Sequence, residues 1–473
     1  MSKTRASKSK LRTTSSENSL VESSLAESSL AESSLADPAS LAETGQALGA
    51  QPETKSRLST CQERAWQALI DGGENVFLTG GAGTGKSYLI RQFLSRHDSR
   101  LFPVLASTGA AAVLVGGRTF HSFFGLGILE GGPAATVERA ARNRQVVRRL
   151  RQIQGFVVDE VSMLAGPVLR VAEVIARRVR DSELPWGGLR VIAVGDFAQL
   201  PPVERDSNRG GGWAFNDAVW DWSKFQTHWL RTQIRCRDEE YMRVLAKVRD
   251  GRVDDEVADY LNARTGPIET EFEGTRLFPR RDQTDKFNEM RLADLAGEST
   301  EFPTIASGDA RGIETLMKQA PIGEVLRLKV GALVMLRQND PIGRFVNGST
   351  GHVRKIQAHK LSIELLNGRR VELERATFSL LDADGDPVAT LTNFPVTLAW
   401  ASTIHKAQGS TLDRMAVDLS RLWEPGQAYV ALSRLVSGAD LRVARWDASS
   451  IKTDPQVVEF YSRFAELAPD AVL

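Results

Sequence analysis

Cysteine is almost missing from this chain: Cys61 and Cys236 are the two thiols among 473 residues. That excludes a disulfide framework and a cysteine-rich zinc site, and it suits a reducing compartment. Long apolar runs are missing as well. No stretch of about 18 apolar residues occurs, so no membrane-spanning helix is expected, and no short apolar signal core follows Met1. Neither sign of charge dominates, because 60 Lys and Arg face 59 Asp and Glu for a net of +1. A uniformly basic surface for nucleic acid is therefore excluded, whereas a local basic groove is not. The cytoplasm is the expected compartment, with nucleus and mitochondrion left open.

What is present is enough apolar sequence to build several cores. Hydrophobic residues make up 42% and charged residues 25%, in a chain long enough for a few domains of roughly 100–200 residues each. Residues 1–55 stand apart. A basic start (Lys3, Arg5, Lys8, Lys10, Arg12) leads into Ser-Ser-Leu-Ala-Glu repeats from Ser23 to Asp37. A five-residue period fits neither helix nor strand, so a disordered low-complexity tail is expected. A partner-binding or targeting arm is the other reading. From Leu58 onward, apolar runs alternate with helical patterns. Asn75–Thr79, Pro103–Ser107, Gly155–Asp159 and Leu189–Gly195 read as buried strands. A second set follows at Arg276–Pro279, Phe394–Ala399, Arg414–Leu419 and Leu441–Ala444. This alternation predicts an α/β fold with parallel sheets and crossover helices. Between residues 322 and 390, Asn347-Gly348, Asn367-Gly368 and Asp384-Gly385 punctuate short alternating runs, which predicts a small β-barrel insertion.

Gly80-Gly81-Ala82-Gly83-Thr84-Gly85-Lys86-Ser87 matches the phosphate-loop pattern, after a strand and before an amphipathic stretch. Its glycines let backbone N–H groups turn inward around phosphate oxygens, and the following helix start adds positive partial charge. Lys86 is expected on the outer phosphates and the Ser87 hydroxyl on Mg²⁺, which makes ATP and Mg²⁺ the expected cofactors.

Phe156-Val157-Val158 ends in Asp159-Glu160, two acids at the C-terminal end of a strand, where open α/β sheets bind ligands. Asp159 is assigned to Mg²⁺ and Glu160 to deprotonating the attacking water, which points to hydrolysis rather than a kinase reaction. A solvated turn is the bland alternative. Leu189–Gly195 then delivers Asp196 and Gln199 to the same edge. Gln199 can hydrogen-bond the γ-phosphate or the water and report hydrolysis to the rest of the domain.

Together these residues resemble a superfamily 1 helicase, and in detail the petite-integration-frequency (Pif) family of 5′→3′ DNA helicases. Asp159-Glu160-Val161-Ser162-Met163-Leu164 and Pro185-Trp186-Gly187-Gly188 carry much of the likeness, although the family usually has Phe where Trp186 stands. The resemblance spans about Leu58 to Ala444. It implies two RecA-like lobes of a P-loop NTPase: a first lobe over 56–228 with a small wedge insertion at about 120–152, and a second over 229–321 and 391–473, with the 322–390 barrel inserted. It implies that Gln62 reads the adenine base. It implies DNA contacts at Thr108, Gly109, Phe120, His121, Ser122, Thr403, His405 and Lys406. Arg434 in Gly426–Arg434 and Arg235 in Leu230–Cys236 are implied as cations reaching ATP from the second lobe. Cys236 stands where the family usually has Gln, which leaves that local hydrogen-bonding role open.

The expected activity is ATP-dependent 5′→3′ unwinding in replication, recombination or repair. The expected partners are single-stranded DNA and forks, with G-quadruplexes and RNA–DNA hybrids left open, no membrane, and a monomer when free. The Arg139–Arg151 cluster meets the fork or is a solvated face. The tryptophans pack rather than stack on bases. Two other functions compete: a RecD-like subunit of a larger machine, opposed by Pro185–Gly188, and a nucleotide-switched DNA-holding protein, opposed by intact Lys86, Glu160, Gln199 and Arg434.

Overall fold

Alternate residues of the early apolar runs face opposite ways, and both directions are apolar. Val76, Leu78, Val157, Ile192 and Val194 pack with Leu69, Leu89 and Phe93 on one face. Phe77, Phe156, Val158, Val191 and Ala193 pack with Ile175, Trp186 and Phe460 on the other. A period of two with both faces buried is what a parallel sheet covered by helices requires. The computed structural model describes residues 58–465, apart from 115–117, 128–130, 203–211, 270–271, 341–342 and 382–386. The expected tail at 1–55 lies outside the described residues.

The first sheet contains β1 (Val76–Gly80), β2 (Val104–Ala106), β3 (Arg118–Thr119), β4 (Gly155–Asp159), β5 (Arg190–Gly195) and β6 (Gln226–Leu230). Its order is β3-β2-β4-β5-β1-β6, and every pairing is parallel. β6 belongs to this sheet, so the first lobe extends past the expected boundary at 228. Trp186 is accommodated rather than disruptive. It is buried against Phe124 and Phe156, and its indole N–H donates to Ser223 Oγ at 2.8 Å.

The crossover from β3 to β4 is helical: Phe120–Phe124, Gly132–Arg142 and Arg144–Gln152. The arginines here are not a uniform solvated face. Arg149 is buried over the Phe123 ring and donates to Ser122 O at 3.2 Å. Arg151 donates to Val179 O at 3.1 Å. Aliphatic stems pack while guanidiniums serve backbone carbonyls.

The chain continues into β7 (Thr275–Phe278), then β8 (Thr300–Pro303), β9 (Ile305–Gly308), β10 (Val325–Leu328), β11 (Leu333–Leu336), β12 (Thr350–Ile356), β13 (Lys360–Leu365), β14 (Arg370–Glu374), β15 (Ala376–Leu381), β16 (Pro387–Asn393) and β17 (Val396–Leu398). It ends with β18 (Ala401–Thr403), β19 (Met415–Leu419) and β20 (Leu441–Trp446). The second parallel sheet has the order β18-β7-β19-β20.

Three expectations need correction. Phe394–Ala399 is not a strand of the second lobe. β17 pairs antiparallel with β11, and the lobe strand is β18, entered after Trp400. The insertion begins at Thr300 rather than 322. It comprises a five-stranded antiparallel sheet, β14-β13-β12-β11-β17, a three-stranded sheet, β15-β16-β9, and the pair β10-β8. Among the described residues the two edge strands β14 and β17 do not pair with each other, so the five strands form an open sheet rather than a closed barrel. Finally, the C-terminal helix Pro455–Ala465 packs on the first lobe. Phe460 stacks on Phe215 at 4.4 Å and meets Phe197 at 5.5 Å.

Candidate active site

β1 ends at Gly80, and the loop after it turns into the helix Lys86–Leu94 through Gly85 in the left-handed region. Close approach explains two of the glycines. A Cβ on Gly83 would lie 2.8 Å from Gln233 Oε1 and 2.9 Å from Arg235 Cβ, and one on Gly85 would lie 2.5 Å from Gln62 Nε2. Lys86 folds back on its own loop, donating to Gly80 O at 2.7 Å and Gly81 O at 3.0 Å. Burial pulls its pKa down, and the nearby carboxylates of Asp196, Glu160 and Asp159 oppose that shift. Ser87 is exposed at the helix start. Thr84 closes the loop through its hydroxyl, which donates to Gly81 O at 2.9 Å.

Asp159 terminates β4, and Glu160 follows with φ 53° and ψ 47°. A non-glycine residue held there stores backbone strain, which is common where a side chain must be aimed. The Glu160 N–H donates to Asp159 Oδ1 at 3.0 Å. Burial and the adjacent Asp159 push the Glu160 carboxyl up to about 7, against Lys86, Arg434 and Gln408. Burial also raises Asp159. A carboxyl poised near neutrality suits a general base.

The chain beyond β6 closes over this loop. The N–H groups of Ile234 and Arg235 both donate to Gly83 O, at 3.0 and 3.3 Å. The Ala82 N–H donates to the Tyr429 hydroxyl at 3.0 Å. Gln408 Nε2 donates to Glu160 Oε2 at 3.3 Å. Arg434 is 2% exposed, and its guanidinium donates to Val430 O and Ser433 Oγ, each at 2.8 Å. Burial lowers its pKa, and Glu160 opposes that shift. Arg235 is lowered to about 10 by burial and by Arg434, and its Nη1 is buried without a hydrogen-bond partner. The buried Arg434 and the half-buried Arg235, whose Nη1 has no partner among the described residues, thus stand beside a phosphate loop, the arrangement that phosphoryl transfer needs.

Other expected residues sit here with different partners. Gln62 is buried, accepting from the Ser59 N–H and donating to Thr84 O, each at 3.0 Å; in this state it braces the loop. Gln199 is buried, and its carbonyl would be 2.4 Å from a Cβ on Gly426. Cys236 is buried with its thiol directed at Asp238 O, 3.8 Å away, so the amide side chain beside the loop is that of Gln233.

Sequence reasoning missed a network behind the loop. Arg249 pairs with buried Asp196 at 2.7 Å. The Tyr461 hydroxyl bonds Thr79 Oγ1 at 2.7 Å and Asp196 Oδ1 at 3.2 Å, and accepts from the Phe197 N–H at 3.0 Å. Burial works to raise the Asp196 carboxyl, but Arg249 holds it below the usual range. Gln408 and Tyr429 lay inside recognised motifs. Nothing local marks Arg249 or Tyr461.

The expected DNA residues lie at the C-terminal ends of β2, β3 and β18. Thr108 Oγ1 accepts from the Ala111 N–H at 3.2 Å, and Thr403 Oγ1 accepts from the Lys406 N–H at 3.1 Å. A capping hydroxyl used as an acceptor keeps its own proton for a phosphate oxygen. Gly109 opens the helix Gly109–Leu114, where a Cβ would be 2.2 Å from the Gln319 side chain. Ser122 is exposed, His121 is half-buried and Lys406 is exposed. His405 Nε2 lies 3.2 Å from Glu424. Phe120 is a correction. It is fully buried against Phe124 and Phe156, so its ring fills the core and has no face for a base.

Two parallel sheets, a phosphate loop on one and buried arginines delivered by the other, define a two-lobed P-loop ATPase of the helicase type. A model of PIF1-like helicases matches residues 57–259. The ATP-dependent DNA helicase Pif1 of Bdellovibrio bacteriovorus is 50% identical over 90% of this chain and 96% of its own. The human ATP-dependent DNA helicase PIF1 is 36% identical over 87% of this chain and 64% of its own. Pif1 from Bacteroides, 27% identical, superposes with a TM-score of 0.77 in complex with ADP-AlF4, over 87% of this chain and 98% of that one, and with 0.60 when bound to single-stranded DNA, over the same shares. The chain belongs to the PIF1-like helicase family.

Proposed function

We propose that this chain, an ATP-hydrolysing DNA helicase by its family, moves 5′→3′ along single-stranded DNA and opens forks ahead of it. The observation that carries the reading is the meeting of Arg235, Gln408, Tyr429 and Arg434 with the phosphate loop and Glu160. ATP would draw Lys86 from the Gly80 and Gly81 carbonyls and recruit the spare donors of Arg235 to its outer phosphates. Glu160 would take the proton of the attacking water. Ser87 and Asp159 supply the oxygen donors that Mg²⁺ takes, and the ion would offset phosphate charge. Because the cations and the DNA-edge residue Thr403 share the second lobe, closing on ATP and opening after hydrolysis would shift one strand-holding edge past the other.

Single-stranded DNA and forks are the proposed partners, in keeping with the single-stranded DNA held by the Bacteroides relative. G-quadruplexes and RNA–DNA hybrids are proposed as further substrates, and replication, recombination or repair as the setting. Two free thiols suit the cytoplasm. The test is strand displacement with ATP on duplexes carrying a 5′ or a 3′ single-stranded tail. Displacement from the 5′ tail alone is expected. Displacement from the 3′ tail alone would reverse the direction, and displacement from neither would remove the unwinding activity.

A further inference from the structure

Arg337 leaves β11 at the junction of the five-stranded sheet with the second lobe. Its backbone is fixed, because its N–H donates to Pro395 O at 2.8 Å and the preceding Leu336 is bonded to Ser349 and Gly348 at 2.9 Å. The side chain is 8% exposed. Its guanidinium donates to Met335 Sδ at 3.2 Å, and a thioether is a weak acceptor. Among the described residues no carboxylate forms an ion pair with it. A buried guanidinium without an acid is costly, and here burial alone pulls it down to about 10.

Its charged neighbours make the shortage worse. Lys406, on the short helix Ile404–Ala407, is lowered by burial and then by Arg281 and Arg337, with Asp285 opposing. Asp285 is itself engaged by Arg281 at 3.3 Å. Lys406 and Arg281 are exposed as residues, although the Lys406 ammonium is partly desolvated, while Arg337 is buried. Two more unmet polar atoms stand at this junction. The 347–348 turn packs on the loop after that helix so closely that a Cβ on Gly348 would be 2.7 Å from Ser410 Cβ. Asn347 Oδ1 and Ser410 Oγ are both buried without a hydrogen-bond partner.

We propose that Arg337, with Lys406 and Arg281 at the rim, binds a backbone phosphate of single-stranded DNA as it passes Thr403. This inference rests on the DNA-translocating reading above. The planar fork of a guanidinium matches two phosphate oxygens, while an ammonium supplies a point charge. A phosphate therefore completes a buried group that the described residues leave without an ion-paired acid. A nucleic-acid phosphate is favoured over a free anion because Lys406 and Thr403 lie on one turn at the sheet edge where the strand is placed.

The test compares the unaltered chain with Arg337→Met and Arg337→Lys in binding a short oligothymidylate across a salt series, with thermal melting of each protein. Each ionic phosphate contact on a single strand contributes about 0.7 to the slope of log affinity against log salt. Arg337→Met should lose about that much slope and about tenfold in affinity at low salt, and Arg337→Lys should keep the slope. Because the substitution removes an uncompensated buried charge, the Met variant should melt at or above the unaltered temperature. An unchanged slope with DNA binding intact would overturn the proposal, as would a Met variant that melts well below the unaltered chain. Inorganic phosphate that raises the melting temperature of the unaltered chain but not of Arg337→Met, with slopes equal, would assign a free-anion site instead. Failure of the unaltered chain to bind the oligonucleotide would sink the DNA reading itself.

Discussion

The first lobe gathers acids and the chain beyond it gathers bases. Asp159, Glu160 and Asp196 stand at strand ends of the first sheet, around a single cation, Lys86. Arg235, Arg249 and Arg434 come from segments after β6; Arg249 and Arg434 are buried where they meet Asp196 and Glu160, and Arg235 stands beside Arg434. Each side alone holds an excess of one sign in a poorly solvated place, so each is incomplete until the two meet. The difference also shows in the backbone. The first lobe offers turned N–H groups and a strained Glu160, whereas the other side offers long side chains, Arg249 at a helix end and Arg235 and Arg434 on connecting segments. A phosphate loop must be rigid to bind, and its partners must be able to arrive and leave.

The contrast can be broken by neutralising one side at a time. Glu160→Gln removes the base from the acidic side and should slow single-turnover ATP hydrolysis by about 10³-fold, with nucleotide still bound. Arg434→Ala removes a cation from the basic side. Its cost should be about 10²–10³-fold in the same assay, with Mg-ATP affinity nearly kept, and larger when combined with Arg235→Ala. If affinity falls as far as the rate, Arg434 serves ground-state binding and the division of labour is wrong.

Arg249→Met strips Asp196 of its buried partner. Urea unfolding should show a loss of about 3–5 kcal/mol, since a carboxylate is left buried and unpaired. A near-neutral result would mean that Tyr461 and Lys86 suffice to hold Asp196.

A pH series sharpens the comparison further. On the proposed reading Glu160 acts as the carboxylate, and its pKa is raised from 4.5 to about 7. Hydrolysis should therefore climb about tenfold per pH unit up to neutrality and level off above it. The same shift means the folded state holds this proton more tightly than the unfolded chain. Glu160 thus adds stability at low pH and loses that contribution as pH rises from 4.5 through about 7. A flat rate profile across that window would remove Glu160 as the base. The smallest effect is expected from deleting residues 1–55, which should leave unwinding within about twofold; a large loss would make that segment part of the machine.

Legibility followed the same division. Lys86, Ser87, Asp159 and Glu160 could be read because each sits in a short contiguous pattern whose chemistry is local. Phe120 was misread because position in a motif says nothing about which way a ring points, and here Phe124 and Phe156 took it. Phe394–Ala399 is the longer and more apolar run, and Ala401–Thr403 is short and built of small and hydroxyl residues. The partner strand decided them, since β17 found β11 and β18 found β7.

By itself the sequence determined the phosphate loop, the acid pair, the parallel-sheet architecture and the segments from which Arg235 and Arg434 come. Glycine spacing, strand periodicity and helix starts act over a few residues, and a few residues are enough to show them. Only the tertiary structure decided that the C-terminal helix crosses back to the first lobe, that Tyr461 meets Asp196 from 265 residues away, and that Arg337 is buried with no ion-paired acid among the described residues. Those outcomes depend on which surfaces pack and what charge is left over, and burial and leftover charge are properties of the assembled molecule.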